Sequence, residues 1–378
     1  MFLSDNHKTN SEIEKVKNED LGYDDFFESN RHKLMFDDLS VARVVVEYRG
    51  SYKVKNTSGE YFAKITGKQM FKALSREDYP AVGDWVAITS LSSNQAIIHG
   101  TLARKTVIKR KYGDKDKVGQ KNKTQIIATN IDEAFIVESV DRDYNLNRFE
   151  RYFSLANSGG VKPTIILNKV DLISKEESDD KMEQLKNRFG DIDVILTSTK
   201  NEEGLSKLMA HITSGKTYCF LGSSGVGKSS LINKLLGENI AKTENISLST
   251  KKGKHTTTSR EMYFLKNGGI VIDNPGIREV GITDAGTGID SSFGEIKVLA
   301  DKCKYGDCTH SHEPGCEVLS AVNSNKLDKG KYSNYINLKK EAEYYETTEL
   351  ERREKDRNFG KLMKKAKEEF KKHGHKDY

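Results

Sequence analysis

The order of two short elements constrains this chain most. The stretch LNKVDL (167–172) contains Asn-Lys-x-Asp, the guanine-reading element of GTPases, and GSSGVGKSS, beginning at Gly222, is a phosphate-binding loop. An ordinary GTPase places the phosphate loop first. Here the base-reading element precedes it. A sheet can be cut at one loop and rejoined at another while keeping its pocket, so the pair predicts a rearranged GTPase.

The intervening pattern supports this. EAFIVESV reads as a strand, RFERYFSLANSGG as a helix ending in glycines, TIILN as a strand and Lys175–Phe189 as a helix. DVILTS, LSKLMAHITSG, YCFLG, KSSLINKLLG and GGIVIDNPG continue the alternation. Such alternation predicts an α/β domain, a parallel sheet with helices on both faces.

Four elements of this domain carry chemistry. Gly222, Ser223, Ser224, Gly225, Val226, Gly227, Lys228, Ser229 and Ser230 form a phosphate loop between a strand and a helix, the context the motif requires. Its amides form a nest for phosphate at a helix N-terminus. Lys228 would contact the β- and γ-phosphates, and Ser229 a magnesium ion. In IVIDNPG, Asp273 would hold magnesium and the Gly276 amide would sense the γ-phosphate. Asp171 would accept from N1 and the 2-amino group of guanine, with Lys169 over the base, Val170 beside it and Asn168 tying the loops together. Ser198, Thr199 and Lys200 fit the S-x-K element that supports the guanine oxygen. A switch loop, KKGKHTTTSR, offers Thr256, Thr257 and Thr258 for magnesium, of which Thr257 is taken as the ligand.

The hydrolytic residue is the gap. Many GTPases place Gln directly after D-x-x-G to orient water. Here that position is Ile277, which predicts slow intrinsic hydrolysis unless another group or a partner helps. His255 in the switch is the candidate, as a water-orienting or general-base group.

Flanking segments divide the chain further. Residues 1–38 are polar and acidic and read as a weakly ordered extension with one short helix. Residues 39–110 show short runs such as VARVVVEY, YKV, EYFAKI, DWVAIT and QAIIHG, which predict a small antiparallel barrel. Trp85 reads as barrel core rather than a base-stacking platform. Residues 111–124 form a basic linker, 125–290 the GTPase domain, and 291–378 a helical domain with a basic tail. No stretch approaches the roughly 20 apolar residues of a membrane helix. The N-terminus lacks a signal-peptide core. A cytoplasmic protein with no membrane partner, and a monomer, is expected. Net charge is +6, with Lys and Arg clustered in 104–123 and 361–376, suggesting a polyanionic partner such as RNA.

Three of the four cysteines lie between Cys303 and Cys316. CKYGDCTHSHEPGC offers Cys303, Cys308 and Cys316 with His310 or His312, the donor set of a closed structural zinc site. Cys219, in an apolar run, reads as core packing.

Together these motifs resemble the bacterial ribosome small subunit-dependent GTPase A (RsgA, YjeQ) family. The resemblance spans about residues 40–370, through VGDWV, ATNIDEAFIV, NRFERY, LNKVDL, GSSGVGKSSLIN, GKHTTTSR, IDNPGIRE, the EPGC of the cysteine cluster and FGKLMKKAK. It implies an oligonucleotide-binding (OB) barrel, a circularly permuted GTPase domain and a C-terminal zinc domain. It also implies GTP hydrolysis stimulated by the small ribosomal subunit, late in that subunit's maturation. The family spacing favours His310 over His312 as zinc ligand. The extension before residue 38 and the Lys-rich loop 111–124 are the departures. The expected partners are GTP or GDP, with Mg, and the small subunit with its rRNA. The alternatives are a nucleotide-stabilised RNA-binding scaffold, or a GTPase acting on a different RNA. The permutation leads the Asp273–Gly276 sensor into the zinc domain, predicting a relay of γ-phosphate state to that domain.

Overall fold

The computed structural model describes residues 16–112, 123–141, 144–237, 260–274, 285–346, 357 and 363. Strands β1 (Ser40–Glu47), β2 (Tyr52–Asn56), β3 (Gly59–Ile65), β4 (Trp85–Ser92) and β5 (Gln95–Thr101) make the barrel. Their alternation buries Ala42, Val44, Val54, Ala63, Val86, Ile88 and Ile98 in its interior. The barrel closes by antiparallel pairing of β1 with β4. It is not wholly antiparallel, because β3 and β5 run parallel. Helix α2 (Gly67–Lys72) leaves β3, and its route toward β4 frees β3 to pair in parallel with β5.

The residues from 16 to 38, expected to be weakly ordered, are instead packed. Helix α1 (Asp25–Lys33) is capped by the Asp24 side chain and places Phe27 inward. Leu21, Tyr23 and Phe27 are buried with Val41, Trp85 and Leu102. The Trp85 ring meets Tyr23 edge-on at 4.7 Å. Trp85 is therefore core, but on the outer barrel face that the extension covers. The one short helix expected is present, and the segment is better packed than expected because a few aromatics in it meet a ready apolar surface. Residues 1–15 lie outside the described residues.

β6 (Val107–Tyr112) and β7 (Lys123–Thr129) form their own antiparallel ladder, which extends into both ends of the expected linker. The GTPase sheet contains β8 (Glu133–Ser139), β9 (Lys162–Asn168), β10 (Val194–Thr197), β11 (Thr217–Leu221), β12 (Glu261–Phe264) and β13 (Ile270–Asp273). The order is β10-β9-β8-β11-β13-β12. All neighbours are parallel except β12, which pairs antiparallel with β13. At its far side β12 pairs with barrel strand β1 through Val46 and Glu261.

Helices α3 (Leu146–Ser158), α4 (Lys175–Phe189), α5 (Leu205–His211) and α6 (Lys228–Leu236) cover the sheet. Successive residues of β8 face opposite sides. Ala134 and Ile136 join a core with α3 and α4 side chains, while Phe135 and Val137 join Leu208, Leu231 and Ile232 of α5 and α6. The first core also takes in Val45, Val46 and Val82, so barrel and GTPase domain share buried surface. α7 (Ala285–Ser292), α8 (Gly294–Ala300), α9 (Glu317–Asn323) and α10 (Lys329–Glu346) form the C-terminal domain. Its core is Ile289, Phe293, Ile296, Val318, Leu327, Tyr335 and Leu338.

Candidate nucleotide site and metal centre

The base-reading element and the phosphate loop meet at one end of the sheet. Asn168, at the end of β9, is fully buried. Its Nδ2 donates to the Val226 carbonyl of the phosphate loop at 2.8 Å, and its Oδ1 accepts from the Thr197 hydroxyl of β10 at 3.0 Å. Lys169 follows with φ 63°, and its Nζ pairs with Asp141 at 2.9 Å. Val170 is buried below it. Asp171 accepts from Ser198 Oγ at 2.6 Å, and the Lys200 amide donates to that same Oγ at 3.1 Å. Asn168 to Asp171 and Ser198 to Lys200 thus line one edge of the site, with Thr199 between Ser198 and Lys200.

Gly222 to Ser230 wrap the turn from β11 into α6. Gly222 has φ 149°, and a Cβ there would lie 2.2 Å from the Val137 carbonyl oxygen. Gly227, at φ 101°, would put a Cβ 2.3 Å from Asn168 Nδ2. Glycine is required at both places: a side chain at 227 would push the base loop and phosphate loop apart, and one at 222 would strike the β8 backbone. Lys228 is buried and donates to the carbonyls of Gly222 at 2.8 Å and Ser223 at 2.7 Å.

Ser229 Oγ donates to Asp273 Oδ2 at 3.0 Å, bringing together two of the three expected magnesium ligands. The other carboxylate oxygen, Asp273 Oδ1, is buried with no hydrogen-bond partner. Burial raises the Asp273 pKa, against the Ser229 hydrogen bond and the Lys228 charge. An orphaned buried anionic oxygen beside a hydroxyl fits a hard divalent cation. His255, Thr256, Thr257, Thr258, Gly276 and Ile277 lie outside the described residues.

In the C-terminal domain, the ligand atoms of Cys303, Cys308, His310 and Cys316 all lie within 4.8 Å of one another. His310 Nδ1 is 3.6 Å from Cys303 Sγ and 3.5 Å from Cys316 Sγ, and those sulfurs are 3.9 Å apart. Zinc–sulfur bonds of about 2.3 Å in a tetrahedron put sulfurs about 3.8 Å apart. The donor set therefore fits zinc. Burial lowers the His310 pKa, favouring the neutral imidazole that ligates metal. Its φ of 59° turns the chain so that the ring faces the sulfurs. His312 is not in the group. Its amide instead donates to Glu313, which also accepts from the amides of Thr309 and Ser311.

The sequence profile described as RsgA GTPase matches residues 101–283. Small ribosomal subunit biogenesis GTPase RsgA 1 of Bacteroides thetaiotaomicron is 36% identical over 347 residues, covering 92% of this chain and 95% of that protein. Small ribosomal subunit biogenesis GTPase RsgA 2 of Lactiplantibacillus plantarum is 38% identical over 336 residues, covering 87% and 92%. This chain belongs to the RsgA GTPase family. Among solved structures, YjeQ from Thermotoga maritima shares the fold with a TM-score of 0.57, at 24% identity, over 79% of this chain and 96% of that one. So does YloQ, described as a circularly permuted GTPase, with a TM-score of 0.56 at 21% identity over 82% and 97%. The reversed order of base loop and phosphate loop is thus the circular permutation of an RsgA GTPase.

Several residues of this RsgA GTPase site were not singled out from sequence. Asp141, which positions Lys169, follows the strand end ESV, and an acidic residue there was a readable signal. Thr197 orients Asn168 but looks like any strand threonine. Arg43 gave no signal, yet it is fully buried where three segments meet. It donates to the carbonyls of Leu21 (2.5 Å) and Asn130 (3.0 Å) and to Thr217 Oγ1 at 2.9 Å. Part of the basic segment 104–123 also has internal work. Arg104 holds buried Asp84 at 2.7 Å, and Lys105 pairs with Asp24. No helix among the described residues is long and apolar enough to cross a membrane.

Proposed function

We propose that this RsgA GTPase binds the small ribosomal subunit and hydrolyses GTP as a late maturation checkpoint, slowly alone and faster on the subunit. The observation that carries the nucleotide half is the Asn168–Val226 bond, which joins base reader and phosphate loop into one pocket. The subunit half is supported by the printed names of relatives that cover nearly the whole chain.

In this reading Asp171 accepts from the guanine edge, held at its angle by Ser198. Lys169 lies over the base, fixed by Asp141. Gly222 to Ser230 surround the phosphates with amides, and Lys228 leaves the Gly222 and Ser223 carbonyls to meet them. Ser229, Asp273 and Thr257 would hold magnesium, which would supply positive charge against the β- and γ-phosphates. The Gly276 amide reads the γ-phosphate. His255 orients the attacking water, since Ile277 cannot. Cys303, Cys308, His310 and Cys316 hold one zinc, which serves structure because four protein donors leave no open position. Barrel and basic tail engage rRNA phosphates.

Co-sedimentation with isolated small and large subunits, in the presence of a GTP analogue, tests the partner. Retention on small subunits alone, with stimulated turnover, is expected. Retention without stimulation would favour an RNA-binding scaffold, and equal retention on other RNAs would exclude the checkpoint. Single-turnover hydrolysis by His255→Ala on the subunit tests the water-orienting role, and an unchanged rate at unchanged nucleotide affinity would exclude it.

A further inference from the structure

Helix α2 buries none of its side chains. Leu74 (97% exposed) and Phe71 (92%) are the two most exposed large apolar side chains among the described residues, and Met70, next to Phe71, is 58% exposed. These are not on a loose loop. Thr66 caps the helix by accepting from the Gln69 amide at 3.2 Å, and the Leu74 and Ser75 amides both donate to Asp78 at 2.8 Å. A rigid scaffold therefore holds an aromatic ring and an aliphatic side chain in water.

Charge identifies the partner. Lys68, Phe71 and Lys72 are spaced i, i+3, i+4 and share one helix face. Lys64 is the penultimate residue of the preceding strand. Among the described residues, the side chains of Lys64, Lys68 and Lys72 make no ion pair or hydrogen bond. The outer face of β2 and β3, where OB barrels commonly take oligonucleotides, differs. There the exposed ring of Phe62 lies beside Lys53 and Lys55, but both lysines are committed to Glu60, at 2.5 and 3.5 Å. Protein interfaces are depleted in lysine. An exposed ring bracketed by unpaired lysines suits an unstacked base between two phosphates.

We propose that α2 is a base-stacking wedge. Phe71 stacks on an unpaired rRNA base, Met70 and Leu74 flank it, and Lys64, Lys68 and Lys72 contact the adjoining phosphates. This rests on the rRNA-binding reading above and names its contact.

The test uses the full chain with a GTP analogue, and the variants Phe71→Ser, Phe71→Trp, Leu74→Ser and the double variant Lys68→Gln/Lys72→Gln. All change exposed side chains, so melting temperature and basal hydrolysis should stay at wild-type values. Affinity for small subunits is measured across a salt series, with chemical probing of rRNA base reactivity. Phe71→Ser should weaken binding about tenfold without changing the salt slope, because stacking releases no counterions. Phe71→Trp should retain binding. The double lysine variant should lower the log–log salt slope by about 1.5. A base protected by the wild-type chain should become reactive with Phe71→Ser.

Wild-type affinity in both Phe71→Ser and Leu74→Ser would overturn the wedge. Loss of affinity with no change in base protection would also overturn it, assigning α2 to a ribosomal protein. If the wild-type chain does not bind small subunits, the functional reading falls. The wedge is then judged on a single-stranded oligouridine 12-mer, where Phe71→Ser must still weaken binding.

Discussion

Asn168 donates to the carbonyl of Val226 at 2.8 Å, and this buried bond holds the base-reading loop against the phosphate loop. Permutation has reversed the order of the two loops along the chain without separating them in space. Asn168→Ala would leave the Val226 carbonyl and the Thr197 hydroxyl without their partner, at about 1–3 kcal/mol for each orphan. The bond touches neither base nor γ-phosphate. The variant should therefore lose GTP and GDP affinity equally, by at least about tenfold, as read by titration with fluorescent nucleotides. A loss confined to GTP would contradict this role.

Asp171→Asn tests the base contact separately. Its partner, Ser198, can keep a hydrogen bond to Asn, so the fold should hold. Asn presents a donor where guanine also donates, and xanthine carries an oxygen at that place. GTP affinity should fall by at least about a hundredfold while xanthosine triphosphate gains. Equal loss of both nucleotides would mean that Asp171 does not face the base.

The pocket was legible in sequence because its parts are glycine turns and polar residues at strand ends, where local spacing fixes position. The same holds for the zinc donors, which fall in one short segment. What sequence hid depends on distant packing. The polar extension folds only because Trp85 offers Tyr23 and Phe27 a surface. The parallel β3–β5 pair follows from the chain's route through α2, which hydrophobic alternation does not encode. Arg43 looks like an exposed strand residue until Leu21, Asn130 and Thr217 converge on it from three segments.

Arg43 makes the next prediction. Burial pulls its pKa down to about 10, against the attraction of Asp132 and Asp84. A buried cation is tolerable only with its hydrogen bonds complete. Arg43→Met would orphan the Leu21 and Asn130 carbonyls and the Thr217 contact, costing about 3–5 kcal/mol. Arg43→Lys should not rescue it, because an ammonium cannot span the guanidinium's fork. Trp85, the only tryptophan, lies beside this junction and reports it by fluorescence. Urea melts matching wild type would refute the role.

Glu150 gives a pH dependence of definite sign. Buried on α3, it accepts from Arg188 Nε at 2.7 Å and from Asn334 of the zinc domain. Burial nevertheless raises its pKa above the ordinary 4.5. Above the folded value, both folded and unfolded states are ionised and the fold bears the burial cost. As pH falls from the folded value to 4.5, the folded state takes the proton first and gains stability; below that the gain is complete. Wild type should therefore gain stability relative to Glu150→Gln on acidification through that window, in urea melts at stepped pH. The opposite slope would show that Arg188 outweighs burial.

If Cys303, Cys308, His310 and Cys316 hold zinc as proposed, removing it should act locally. The metal donors adjoin a small core of Phe293, Val318, Tyr335 and Leu338, and Cys316 Sγ also accepts from the Leu319 amide at the start of α9. A chelator, or Cys316→Ser, should melt α7 to α10, seen as lost helical dichroism. Trp85 fluorescence should not change, because the barrel has a separate core. Simultaneous loss of both signals would mean that the domains unfold as one.

The relay from γ-phosphate to zinc domain can be argued from α7. Asn274, directly after β13, donates to Cys219 Sγ at 2.9 Å, which fastens the end of the sensor strand to the phosphate-loop strand. Gly288 of α7 lies so close to α3 that a Cβ would be 2.4 Å from the Ser154 carbonyl oxygen. Ser292 of α7 accepts from Asn157 of α3 at 3.0 Å, and Ile289 belongs to the zinc-domain core. If the nucleotide state moves the chain after Asp273, α7, seated on α3 and sharing Ile289 with the C-terminal core, is the helix that would pass the movement on. Hydrogen exchange over residues 277–330 should differ between GDP and a GTP analogue on the small subunit. Gly288→Ala, forcing α7 off α3 at about 1–3 kcal/mol, should reduce subunit-stimulated turnover while basal hydrolysis stays within about twofold, a change of about 0.4 kcal/mol in barrier. Identical exchange in the two nucleotide states would end the relay argument, whatever the Gly288 variant does.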